Sequence, residues 1–290
     1  MAESDTLQRF VFEHAPIRGE IVHLNATFRA IRERRDYPTP VRNLLGELMA
    51  AAALLTASVK LDGRLILQMR GDGPVQLLVV ECSSERTLRA TAQWHGEIPP
   101  QTLDELVGDG QLVITIDPSK GRERYQGIVS LEGRSVSAAL ERYFRQSEQL
   151  ETRFWLACDE EQAVGMLLQR LPGEMEDADT WNRAVELGGT LTRDELLSLP
   201  VREVLRRLYH EEDLRLFSGA PMSFRCSCSR ERVERVLRML GSGEARGIIR
   251  ERGAVDVDCE YCGRHYRFDA VDVEQLLAAP ASIHPPPQRH

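Results

Sequence analysis

Lysine is almost missing from this chain. Only Lys60 and Lys120 occur, and every other member of its 37 basic residues is arginine. A basic surplus is missing too: 45 acidic residues bring the formal net charge to −8. That balance argues against broad affinity for nucleic acid or for an anionic membrane surface. There is no long apolar run. The best candidate, Leu44 to Val59, is interrupted by Glu47 and is too short to span a bilayer. The segment from Met1 to Phe10 is mixed and acidic, without the apolar stretch of a secretory signal. HExxH, GxSxG and Walker A patterns are all lacking, so nothing demands an enzyme. The glycines of Gly71-Asp-Gly-Pro74 lack the GxxxxGK spacing and read as a plain turn. His14, His23, His95 and His210 are scattered without a partner signature, and His210-Glu-Glu-Asp213 reads as an exposed helix end. The expected location is the cytosol, which disfavours standing disulfides and turns clustered cysteines toward metal or redox chemistry.

What is present suits a globular protein. At 290 residues, 42% hydrophobic and 28% charged, the chain can form one large domain and a small one. Alternation predicts strands over residues 7–13, 17–24, 64–69, 75–82, 87–94, 112–116, 125–131, 153–158 and 164–171. Helical spacing predicts Ala26 to Arg35, capped by Asn25, and a core helix from Val41 to Val59. A short helical piece near Leu103 and a helix from Ser135 to Gln149 complete an α+β core domain, residues 1–175. Residues 176–223 read as a linker of short amphipathic helices broken by Gly188-Gly189, Pro200 and Gly219-Ala-Pro221. Thr192-Arg-Asp-Glu195 is a capping box there. Pieces this short are marginal alone, so the sheet of the large domain is their expected platform.

The cysteines carry the chemistry. Cys226-Ser-Cys228 and Cys259-Glu-Tyr-Cys262 are separated by thirty residues, and this spacing predicts a four-thiolate metal site, zinc first. CxxC is an ordinary zinc half-site. In an extended CxC the two sulfurs share one face and can also meet one metal. A Cys226–Cys228 bridge would close a very small ring near the ~7 Å limit for unstrained Cα separation. Such strained bridges are labile, which suits a switch better than a permanent cross-link. Cys82 and Cys158 sit in apolar runs and read as small buried hydrophobes. His265 is a possible competing ligand, but four thiolates already fill a tetrahedron. Around the site, Ser229 caps a helix with Val233, Val236, Leu237 and Leu240. A second helix holds Ile248 and Ile249, and two strands carry Val255, Val257 and Tyr266, Phe268. This small domain spans 224–278, and residues 279–290, with Pro285-Pro-Pro287, are an expected disordered tail. His284 and His290 there are not expected ligands.

These stretches resemble one family. Phe224-Arg-Cys-Ser-Cys-Ser-Arg-Glu-Arg232 and Cys259-Glu-Tyr-Cys-Gly-Arg-His-Tyr-Arg-Phe268 are similar to the C-terminal redox-switch domain of the heat shock protein 33 family. Upstream, Phe10-Val-Phe-Glu13, Asp36-Tyr-Pro38, Gly71-Asp-Gly-Pro74, Tyr125-Gln-Gly127, Arg145-Gln-Ser-Glu148 and Leu168-Leu-Gln-Arg-Leu-Pro172 extend the resemblance over nearly the whole chain. The resemblance implies a redox-regulated, ATP-independent holdase chaperone that is inactive when reduced and carries one zinc ion per chain on Cys226, Cys228, Cys259 and Cys262. Oxidation would form Cys226–Cys228 and Cys259–Cys262 disulfides, release the metal and free the linker. Unfolded or oxidatively damaged client proteins would then bind, with a homodimer as the active form and no nucleic acid or membrane partner. The alternatives are a zinc-ribbon nucleic-acid binder and a zinc- or thiol-dependent enzyme. Nine arginines against eight acidic residues between Cys226 and Asp269 leave no basic footprint for the first. A closed four-cysteine site leaves no open coordination position for the second.

Overall fold

The computed structural model describes residues 5–59, 62–99, 102–119, 123–131, 135–173, 177 and 179–278. Lys60, Lys120, the 279–290 tail and the 175/176 boundary lie outside them. The elements begin with β1 (Thr6–Phe12), β2 (Ile17–Leu24), α1 (Ala26–Arg32), α2 (Thr39–Ser58), β3 (Gly63–Arg70), β4 (Val75–Ser83) and β5 (Thr87–Trp94). Then come α3 (Leu103–Val107), β6 (Gln111–Pro118), β7 (Tyr125–Ser130), α4 (Val136–Tyr143), β8 (Thr152–Cys158) and β9 (Ala163–Arg170). Next are α5 (Thr180–Gly189), α6 (Arg193–Ser198), α7 (Val201–Tyr209), β10 (Leu214–Leu216), β11 (Ala220–Pro221) and β12 (Ser223–Phe224). The last are α8 (Arg230–Leu240), α9 (Ser242–Arg252), β13 (Ala254–Asp258), β14 (His265–Asp269) and α10 (Ala270–Ala278). The chain divides into two compact units, Met1–Arg225 and Cys226–His290. This is the expected α+β class.

The larger unit is layered. One sheet runs β10-β1-β2-β9-β8, with β11 also on β1, and the other runs β12-β5-β4-β3-β6-β7. Helix α2 lies between them: its Leu48, Ala52 and Leu55 share one core with Val22, Leu24 and Leu167 of the first sheet and Leu65, Leu67 and Val80 of the second. The opposite side of the first sheet is also covered. Phe10, Ile21, Val164 and Met166 pack with Trp181, Ala184, Val204, Leu205 and Leu208 of α5 and α7. Burial on both faces explains why β9 is apolar almost throughout and why β2 is buried along nearly its whole length. The short helices lie on the sheet, the platform expected for them.

Long-range contacts finish what local sequence leaves open. Helix α2 lacks basic residues in its last turn. Its terminal carbonyls are instead met from the sheet, Ala57 O by Arg9 Nη2, and Ser58 O by Arg18 Nη2 at 2.9 Å. This satisfies orphaned acceptors and places positive charge at the negative helix end. Glu20, 1% exposed, accepts a 2.8 Å hydrogen bond from Ser58 Oγ beside Arg9. Gly46 of α2 lets Cys158 pass: an added Cβ would lie 2.3 Å from its sulfur. Cys158 and Cys82 are buried, and burial pushes both thiols up, Cys82 to about 12, so both are the inert hydrophobes expected.

Three expectations need correction. Asn25 does not cap α1, because its own backbone is helical (φ −104°, ψ −77°), which turns the side chain away from the helix amides. The Asp5 carboxylate accepts from the Ala26 and Thr27 amides at 2.9 and 2.7 Å in its place. The helix expected to reach Gln149 stops at Tyr143 and widens into a π turn, Phe144–Glu148, ended by left-handed Gln149. The wide turn aims Glu148 at Tyr143, whose hydroxyl donates to it at 2.5 Å. Between α7 and Cys226 the chain is not helical. Residues 214–224 form β10, β11 and β12, each too short to show a pattern.

Glu47 of α2 supplies a test of this packing. Burial pushes its carboxyl up to about 7 against the pull of Arg193. A folded value above the ordinary 4.5 means the folded state holds the proton longer, so stability is lost as pH rises from 4.5 through 7. Glu47→Gln should remove that loss. By pH 8 the variant should gain on the order of 2 kcal/mol over wild type, discounted for partial solvent contact, in urea unfolding series. Parallel pH profiles for the two proteins would contradict it.

Candidate metal centre

The smaller unit has a modest core of Leu237, Ala245, Val255, Tyr266, Phe268, Val273 and Leu276. Its frame is the β13–β14 hairpin, whose pairing runs from Ala254↔Asp269 to Asp258↔His265. The Cys259–Cys262 turn is the tip of that hairpin. Gly263 and Cys262 amides donate to Cys259 O at 2.7 and 3.3 Å, and Gly263 takes a positive φ of 68° that favours glycine. No helix begins there, which rules out the thioredoxin arrangement.

The CxC pair arrives from the other side, ahead of α8. Ser229 Oγ accepts from Arg232 N, as expected of a cap. Arg230 then ties α8 to the hairpin: its guanidinium lies 4.1 Å from the Phe268 ring centroid, donates to Arg267 O at 2.9 Å and pairs with Asp272. Arg246 likewise joins α9 to α10 through both carboxylate oxygens of Glu274. The α10 helix itself was not signalled by the sequence.

Four sulfurs converge. Those of Cys226, Cys228, Cys259 and Cys262 all lie within 4.8 Å of one another. The Cys226–Cys259 and Cys228–Cys262 separations are 3.7 and 3.4 Å. A tetrahedron of sulfurs about 2.3 Å from a central zinc has edges of about 3.8 Å. The donor set therefore fits a tetrahedral thiophilic ion, and the four cysteines could hold one. Electrostatics point the same way. Burial opposes charge on Cys228, but the Tyr266 hydroxyl, 3.1 Å away, and the neighbouring thiols outweigh it and bring Cys228 down to about 7. Burial and the same neighbours push Cys262 up to about 12. Without a cation, the first negative charge obstructs the next.

His265 is drawn elsewhere. Its Nδ1 lies 2.8 Å from Asp258 and its Nε2 3.0 Å from Asp256, and Asp258 chiefly raises its pKa. Both ring nitrogens face carboxylates along the hairpin, so it does not compete for the cluster. Tyr266 and Arg230 went unrecognised as supports of the site. Tyr266 was legible only as an alternating core residue, and its hydroxyl contact depends on the hairpin register.

Fold and site together define a two-unit α+β protein whose smaller unit gathers four cysteines able to hold a metal. The model of the family described as Hsp33 protein matches residues 5–269. A 33 kDa chaperonin of Nitrosococcus oceani is 50% identical over 277 residues, covering 96% of each chain. One of Azotobacter vinelandii is 48% identical over 298 residues, covering 100% of each. The crystal structure of the Thermotoga maritima 33 kDa chaperonin (heat shock protein 33 homolog) matches with a TM-score of 0.84 over 94% of this chain and 98% of that one. At 23% identity it bears on the fold alone. The chain belongs to the Hsp33 family. The relatives it matches are chaperonins by name, not enzymes, in line with the absence of catalytic motifs. Among the described residues no helix is long and apolar enough to cross a membrane.

Ligand replacement tests the site. Cys226→Ser or Cys228→Ser should lower bound metal below one equivalent by elemental analysis, whereas Cys82→Ser and Cys158→Ser should not. Full metal content in the first pair would show the ligand set to be wrong.

Proposed function

We propose that this protein is a redox-regulated, ATP-independent holdase chaperone of the cytosol, holding one zinc ion per chain on Cys226, Cys228, Cys259 and Cys262 when reduced. The observation that carries this reading is the convergence of four thiols, two of them in a CxC pair, in a unit with little other core. When bound, zinc supplies the positive charge that lets all four ionise together, and comparable small modules gain roughly 10–16 kcal/mol from such a site.

Oxidation works on the same sulfurs. Each thiolate pair gives up two electrons to peroxide, which takes up two protons from solvent and leaves as two waters, and a sulfur–sulfur bond forms. Pairing within Cys226–Cys228 and Cys259–Cys262 turns the ligands into poor donors. Residues 224–278 then lose their chief stabilising interaction. The first ligand follows directly on Arg225, whose amide donates to Leu88 O at 3.0 Å. Loss of order at Cys226 is thereby passed to the linker, residues 176–223, on the core domain 1–175. Helices α5–α7 have no more than 10 residues each and are marginal without their contacts. Their departure uncovers Phe10, Ile21, Val164 and Met166, an apolar face for unfolded or oxidatively damaged clients. A homodimer is the active form. The event is local, and a segment with two available states reports it.

The reading predicts coupled signals. Hydrogen peroxide at mild heat should release zinc to a chromogenic chelator while the same samples begin to suppress light scattering by an unfolding client. Thiol reductant with zinc should reverse both. Release without suppression would leave the site a structural staple only.

A further inference from the structure

One stretch, Leu214–Phe224, covers one edge of each sheet in the larger unit. Strands β10 and β11 lie antiparallel on β1, and β12 lies parallel on β5. Without it, β1 and β5 would each present a row of unpaired amides and carbonyls, a ready template for another extended chain.

The cover on β1 is a poor one. Phe10 pairs with Leu216, but Leu7 pairs with Ala220, so the covering segment carries one residue more than β1 between the two pairings. The break falls opposite Gln8, since Phe217 N still donates to Arg9 O. Gln8 Oε1 and Thr6 Oγ1 are buried there with no hydrogen-bond partner among the described residues. Thr6 faces Pro221, which has no amide to give. A cleft of about 830 Å³ opens beside the segment, lined among others by Leu7, Phe10, Ala53, Val59, Phe217 and Met222. Phe217 itself is 44% exposed. Buried unsatisfied oxygens and an open cleft mean that this segment gains less from the edge than a continuous strand would. What it does fill shows what fits: Leu214 and Leu216 point into the core that holds Phe10 and Phe12, and Arg215 between them points out.

We propose that Leu214–Pro221 is a built-in stand-in for client, and that the released edge of β1 binds clients by strand addition. This rests on the chaperone reading above. The ligand is an extended, unfolded segment with apolar side chains at alternate positions. It pairs antiparallel with Thr6–Phe12 through main-chain hydrogen bonds, and its apolar side chains take the places of Leu214 and Leu216. Main-chain pairing is indifferent to client sequence, and the alternate pockets ask only for apolar side chains.

The test uses the full chain and a fluorescein-labelled peptide copying Asp213–Met222. Phe217 N donates to Arg9 O and Asp213 O accepts from Glu13 N, so by alternation the Arg215 and Phe217 amides face β1, and those of Leu214 and Leu216 face away. Fluorescence anisotropy should show binding to peroxide-oxidised protein and at least about tenfold weaker binding to the reduced form. N-methylation at the Arg215 and Phe217 positions should weaken binding about tenfold or more, as expected for two lost hydrogen bonds and a steric block. N-methylation at the Leu214 and Leu216 positions should leave it within about threefold, a change too small for a lost hydrogen bond and a block together. If oxidised protein suppresses aggregation yet binds no peptide, or binds both methylated peptides alike, strand addition is overturned and the chaperone reading survives. If oxidation brings no suppression, both fall.

Discussion

Four thiols within 4.8 Å of one another cannot all carry charge unless a cation sits among them. This constraint makes the smaller unit conditional. Its helices and hairpin present a modest core, and the ion pairs that join them, Arg230 with Asp272 and Arg246 with Glu274, are about half exposed and of limited worth. The metal-binding energy available to four thiolates exceeds all of these. On the proposed reading the atoms that would ligate are the atoms an oxidant would attack, so one chemical event would remove both the charge balance and the fold it supports.

The larger unit is built differently. Helix α2 is buried between two sheets, and its last carbonyls are held by Arg9 and Arg18 from the sheet. Nothing in that core depends on a removable group. Residues 180–224 are its outermost covering. Three short helices lie on one sheet face and three very short strands on two sheet edges, and the covering ends two residues before Cys226. A stable scaffold with a loosely fitted cover is what a binding protein needs if its surface must be hidden on demand.

Much of this was legible because local pattern and tertiary role agree. Leu44, Leu48 and Leu55 mark α2 by helical spacing, and Thr192-x-x-Glu195 forms the expected box, with reciprocal Thr192 and Glu195 hydrogen bonds. The cysteine spacing alone indicated which sulfurs would meet. What stayed hidden depends on partners far along the chain. Asp5 replaces Asn25 as the cap of α1 from more than one strand away. The π turn at Phe144–Glu148 goes with the Tyr143–Glu148 contact. The edge strands around Leu214 and Ala220 are two or three residues long and exist only because β1 is beside them. A period cannot be read from two residues.

The central claim is that the cysteine site governs the covering of the larger unit. Hydrogen exchange followed by mass spectrometry, on metal-loaded reduced protein and on peroxide-oxidised protein, addresses it directly. The account predicts that oxidation strips protection from residues 180–224 and 226–278 while β2, β9 and α2 remain protected. If residues 180–224 keep their protection after the metal has left, the cysteine site and the covering segment are uncoupled, and the account is wrong.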